Sequence, residues 1–210
     1  PYHKEKENLK KFDYIVSNPP FNMNFSDYRE ELFTDENQTR FFAGIPKVPP
    51  KKKDDMPIYQ LFIQHILFSL SSDGKAAIVV PTGFLTGAGI DEKIRKLIID
   101  KNILSGVVTL PSNIFASTGT NVSIIFINLE NDKEPILIDA SNLGTVVKQG
   151  KNKKTVLNKE DENKIINAYE SEVNIDDFSV KVSKDDFELK NYSFSAGQHF
   201  IVKVEHEKIS

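Results

Sequence analysis

A chain of 210 residues, 39% hydrophobic and 27% charged, can bury one sizeable core and a modest appendage, and this balance excludes a disordered chain. With no cysteine it forms no disulfide, thiolate metal site or cysteine nucleophile, which suits a reducing cytoplasm, the expected location. The net charge of −3 argues against a protein that grips nucleic acid over its whole surface and leaves local basic patches open.

Residues 1–11 are polar and charged and read as a lead-in. The alternation in FDYIVS, residues 12–17, predicts a buried strand that stops abruptly at Asn18-Pro19-Pro20-Phe21. Residues 22–57 carry many charges and Pro46, Pro49, Pro50 and Pro57, which predicts a long loop with a short helix near 28–33. Loops of this length tend to be functional lids or disordered segments. Ile58, Leu61, Phe62, Ile66, Leu67 and Leu70 then recur at helical spacing, and Ser71-Ser72-Asp73-Gly74 ends the helix. No apolar run reaches membrane-spanning length.

The continuous apolar run at 75–81 predicts a strand, followed by the glycine-rich turn TGFLTGAG. Residues 91–101 read as a helix with Ile94, Leu97 and Ile98 inward, then 103–110, 122–129 and 134–141 as strands. Val/Ile runs separated by amphipathic helices indicate parallel strands covered on both faces, an open, doubly wound α/β sheet. The strands at 103–110 and 122–129 are joined by a loop without a helix, which favours an antiparallel pair at the sheet edge. Beyond residue 142 the chain becomes charged and turn-rich, with one helix expected over 159–170 and a short mixed appendage after it. The boundary is placed between 142 and 155.

Asn-Pro-Pro after a strand can be a plain sharp turn. Its context adds a second reading, because ligands of open α/β sheets sit beyond the carboxyl ends of the strands. The exocyclic amine of adenine is a poor nucleophile, its lone pair being delocalised into the ring. Two acceptors for its N–H groups, the Asn18 side-chain oxygen and the Pro19 carbonyl, would raise electron density on that nitrogen as it becomes tetrahedral. Two prolines stiffen the turn, and Phe21 can stack on an extruded base.

NPPF at a strand end resembles the catalytic motif of N6-adenine DNA methyltransferases. The stretch from IYQLFIQHILF through LPSNIF and the following T-G turn is similar to the modification (M) subunit of type I restriction-modification systems, over roughly residues 12–142. NYSFSAGQHF is similar to the end of that family. The resemblance implies the methyltransferase version of the doubly wound sheet, with an antiparallel edge strand. It further implies Asn18, Pro19, Pro20 and Phe21 as catalytic motif, S-adenosylmethionine as methyl donor (touched here by Asn18), and adenine N6 of DNA as acceptor. Implied partners are DNA, a specificity (S) subunit, a restriction (R) subunit and a second copy of the M subunit. Residues 1–145 would be the C-terminal half of the catalytic domain, and 146–210 a linker and a tail that docks the specificity subunit.

The family's donor site lies mostly upstream of the motif, in a strand and glycine-rich turn, whereas only eleven residues precede Phe12 and none is glycine. Apart from Asn18, the donor-binding residues are therefore expected upstream of Pro1. The chain reads as the C-terminal portion of a longer subunit, with one sheet edge open, and is expected alone neither to bind the donor well nor to methylate DNA. Lys51, Lys52 and Lys53, with Lys47, form a charge run in the long loop, either solvated or in contact with DNA phosphates. Asn113, Phe115 and Thr118 lie in a loop at the same sheet end, where Phe115 lines a base pocket or plugs an apolar gap. Lys151 to Lys154 read as linker, the TGAG turn as a plain turn rather than a phosphate loop, and no metal site is expected. Two alternatives stay open: a methyltransferase acting on RNA or protein glutamine, and a non-catalytic binding or scaffolding module on the same sheet.

Overall fold

In a computed structural model, which describes residues 4–5, 8–115 and 120–201, β1 (Lys4–Glu5) and β2 (Asn8–Leu9) pair antiparallel ahead of the first long strand. That strand is β3 (Phe12–Ser17). The long loop follows, holding α1 (Asp35–Arg40), and leads to α2 (Tyr59–Ser69), β4 (Leu70–Pro81) and α3 (Ile90–Asp100). Next come β5 (Leu104–Thr109), β6 (Val122–Asn128), β7 (Ile136–Asp139), β8 (Thr145–Gln149) and β9 (Asn152–Val156). The described chain ends through α4 (Lys159–Ser171), β10 (Ser179–Lys181) and α5 (Lys184–Leu189).

Six strands form the main sheet in the order β10-β7-β5-β6-β4-β3. β3, β4, β5 and β7 run one way, and β6 and β10 the other. The expected antiparallel pairing of β5 with β6 is present, but not at an edge. β6 returns between β5 and β4, because the β4–α3–β5 crossover leaves a gap one strand wide that only an antiparallel strand entering from that end can fill. The antiparallel edge strand is β10, from the segment after residue 145 that reads as tail.

Ala76, Ile78 and Val80 of β4 turn to one face, where Ile63 and Ile66 of α2 and Ile94, Ile98 and Ile99 of α3 close over them. Each fully buried Ile contributes roughly 1.5–3 kcal/mol. Phe187, Phe194 and Ala196 join this same core, so the segment after residue 145 is packed into the main body. On the other face α4 covers β5 and β7, with Ala168, Ile165 and Tyr169 against Val108, Ile136 and Ile138. It does not reach β3, where Tyr14 is 77% and Val16 86% exposed.

The long loop is folded around its own small core of Phe25, Phe41, Met56 and Leu61. Gln64 of α2, fully buried, fastens it: its Oε1 accepts from Ala43 N at 2.8 Å, and its Nε2 donates to Gly44 O at 3.0 Å. The single helical turn expected near 28–33 is a 3-10 turn, Glu30–Leu32, followed by α1, whose N-terminus Thr34 caps.

Candidate active site

β3, β4 and β5 are parallel, so their carboxyl ends share one rim of the sheet. β3 ends where Ser17 pairs with Ile78, and the chain turns at once. Pro19 is buried and wedges the turn into the body, while Asn18 and Pro20 are exposed and Phe21 is half-buried. Neither the Asn18 side-chain oxygen nor the Pro19 carbonyl has a hydrogen-bond partner among the described residues. Both acceptors are therefore free to take a donor.

Phe21 is held by the first turn of α2. Its ring stands edge-on to Tyr59, centroids 6.4 Å apart at 81°, and its carbonyl accepts from Tyr59 N at 3.4 Å. Two residues on, Met23 N donates to Met56 O at 3.0 Å, which closes the long loop at its base. The position of Phe21 is thus fixed from both sides of the loop.

Tyr59 is itself fixed. Its hydroxyl donates to the Asp91 carboxylate, 3.0 Å from Oδ1 and 2.9 Å from Oδ2, and Gln60 Nε2 donates to Asp91 Oδ1 at 2.8 Å. Burial pushes the Asp91 carboxyl up, while the bonds from Gln60 and Tyr59 and the charge of Arg95 pull it back only in part. Burial, then the Asp91 charge, pushes the Tyr59 phenol far above its ordinary range, so it stays protonated and donates. Arg95, 1% exposed, spreads its fork over three carbonyls: Phe84 O at 2.6 Å, Gly87 O at 2.8 Å and Tyr192 O at 2.8 Å. Burial lowers its pKa. A line of edge-on rings, Tyr59–Phe84, Phe84–Phe194 and Phe187–Phe194, carries the packing from the rim down to the C-terminal segment.

The glycine-rich turn serves this network. A Cβ on Gly87 would stand 2.5 Å from Asp91 Oδ2, so the space before α3 belongs to a carboxylate of the chain itself. An anion bound there would meet that carboxylate, which supports the plain-turn reading over the phosphate-loop one.

Over residues 1–208 the sequence matches the N-6 DNA methylase family. The chain belongs to that family. It is 31% identical over 201 residues to the type I restriction enzyme MpnII methylase subunit of Mycoplasma pneumoniae, covering 94% of this chain and 35% of that protein. It is 28% identical to the MjaIX methylase subunit of Methanocaldococcus jannaschii, covering 99% of this chain and 38% of that one. The fold is similar to the type I restriction-modification methyltransferase subunit from Streptococcus thermophilus, with TM-score 0.73, 25% identity, and 92% of this chain against 39% of that one. The chain thus spans between a third and two fifths of the length of these relatives.

In this N-6 DNA methylase chain the other expected site residues gather less tightly. Asn113 sits at the rim with φ +57°, its carbonyl accepting from Thr155 N at 3.0 Å. Phe115 is exposed and makes no ring contact with Phe21 or Tyr59, and Thr118 lies outside the described residues. Lys51, Lys52 and Lys53 are exposed just before Met56, beside the chain that leaves Phe21. They are offset by Asp54 and Asp55, with Lys52 Nζ 3.5 Å from Asp55 Oδ2.

Among the described residues the expected donor site is represented by one polar group at the rim, Asn18, and the glycine turn ahead of α3 is filled by Asp91. The expectation that further donor-binding residues lie upstream of Pro1 falls outside the described residues. Tyr59, Asp91 and Arg95 are site-building residues that sequence reasoning missed. The available signal was an acid and a base four apart in a helix directly after a glycine turn.

Proposed function

We propose that this chain carries the base-holding motif of an adenine-N6 DNA methyltransferase subunit that works within a restriction-modification complex. The observation that carries it is the pair of unpartnered acceptors, Asn18 Oδ1 and the Pro19 carbonyl, beside a Phe21 ring fixed from behind. An adenine turned out of the duplex would donate its two N6–H bonds to these acceptors and lay its face on Phe21. The acceptors draw density toward N6 as it becomes tetrahedral, and the proton leaves after alkylation, so no strong general base is needed. The donor proposed for the full-length subunit is S-adenosylmethionine, which supplies an electrophilic methyl group. Sequence specificity would come from a separate specificity subunit, with a restriction subunit and a second methylase subunit as further partners. The 210-residue chain alone is expected to be inactive.

The test places 2-aminopurine at the target adenine and reads its fluorescence in the full-length complex. Binding should raise the signal, Asn18→Ala should keep the rise, and Phe21→Ala should weaken it. A base that stays stacked in the wild-type complex would contradict the proposal. So would methylation by the purified 210-residue chain, for the inactivity expected of it.

A further inference from the structure

The stretch TVVKQGKNKKTV, residues 145–156, is an antiparallel hairpin rather than a linker, with β8 and β9 joined through Gly150 at φ +62°. It carries Lys148, Lys151, Lys153 and Lys154 and no acid. Among the described residues none of these four lysine side chains has an ion pair or a hydrogen bond, whereas those of Lys52, Lys96, Lys133, Lys159, Lys181 and Lys184 each have an ion pair. The register sets Lys148 directly opposite Lys153, on one face of the ribbon. Like charges in that position destabilise a hairpin unless an anion lies across them.

The root of the hairpin is fixed to the active rim. Thr155, 3% exposed, donates from Oγ1 to Ser112 O at 2.6 Å and from its N–H to Asn113 O at 3.0 Å, in the loop that follows β5. A Cβ on Gly144 would press on Thr155 Cγ2 at 2.7 Å, so the start of β8 is packed closely against this anchor. β5 and β3 are three strands apart in the sheet, about 14 Å at ordinary strand spacing. Five-residue strands reach about 17 Å. The hairpin is thus about as long as its root is far from the turn at Asn18, and a duplex carries a charge about every 1.7 Å of its axis, so several phosphates fall along a ribbon of that length.

We infer that the β8–β9 hairpin is a DNA-backbone clamp, its lysines neutralising phosphates to one side of the extruded base. This rests on the DNA-methyltransferase reading and deepens it. The clamp acts on affinity and register, not on the chemistry at Asn18. It also accounts for how a chain of net charge −3 can hold a polyanion: the basic charge is local, unshielded and at the correct rim.

The test uses the full-length subunit in its complex, with all four lysines changed (Lys148→Gln, Lys151→Gln, Lys153→Gln, Lys154→Gln). The plot of log affinity against log salt should become shallower by up to about 3.6, at about 0.9 for each phosphate no longer neutralised. The methylation rate at saturating DNA should not change, and the melting temperature should not fall. Asn18→Ala serves as the converse control, losing rate while keeping the wild-type salt slope. A quadruple variant with the wild-type slope, in a complex that still methylates DNA, would overturn the clamp and leave the methyltransferase reading standing. A wild-type complex that neither binds nor methylates DNA would overturn both.

Discussion

The Tyr59 hydroxyl donates to both oxygens of Asp91, at 3.0 and 2.9 Å, while the same tyrosine meets Phe21 edge-on through its ring. One side chain therefore links the turn at the end of β3 to the first turn of α3. The surface proposed to meet an adenine is only as fixed as that buried bond.

Tyr59→Phe keeps the ring beside Phe21 and deletes the bond. The Asp91 carboxylate is left with Gln60 alone, and a buried group that loses a partner costs about 1–3 kcal/mol. Urea unfolding should show that loss. The rate of methyl transfer by the full-length complex should fall several-fold as Phe21 loosens.

Asp91→Asn should change the pH dependence of stability in a defined direction. Burial holds the folded-state pKa of Asp91 above its unfolded value, so the folded protein binds this proton the more tightly. That contribution is complete below the unfolded pKa, about 4, and is lost as pH rises through the folded pKa. Asparagine cannot ionise. The stability of wild type relative to Asp91→Asn should fall as pH rises from about 4 and then level off, as read from urea midpoints across the range. A difference that grows with pH would show that the carboxylate is stabilised in its charged form.

Arg95 should tolerate no substitute without loss of stability. Its guanidinium satisfies three carbonyls from two segments, and a lysine offers no planar fork to span them. Arg95→Ala should cost about 3 kcal/mol or more, since hydrogen bonds to charged groups are worth about 1.5–3 kcal/mol each. Arg95→Lys should fall between that variant and wild type in thermal denaturation.

The outer side of β3 should make the isolated chain associate. Tyr14 and Val16 stand exposed on an edge strand, on the half of the sheet that α4 does not cover. Light scattering should show mass rising with concentration, and Tyr14→Ser combined with Val16→Lys should reduce it without lowering the melting temperature.

What could be read in the sequence was local. Ala76 to Val80 announce a buried strand because five apolar residues adjoin, and Asn18 to Phe21 announce a candidate site because all four lie together at its neighbour's end. What could not be read was set by distant contacts. Asp91 looks like an ordinary first-turn acid until Tyr59 folds onto it, and β6 enters between β4 and β5 only because the α3 crossover leaves room. β10 has three residues, too few to show a period, and the lysines of β8 and β9 mask their alternation behind a linker-like composition. The long loop hides its core because Phe25, Phe41 and Met56 follow no fixed spacing.

The most direct measurement is N6-methyladenine formation by the full-length complex under single-turnover conditions, wild type against Asn18→Ala. The Asn18 side chain is exposed and makes no hydrogen bond among the described residues, so its loss should leave folding and DNA affinity intact. Removal of one preorganised partner of the reacting group should slow methyl transfer about 100- to 1,000-fold. An Asn18→Ala complex that methylates adenine at the wild-type rate would contradict the assignment of Asn18 to Phe21 as the site that holds the amine.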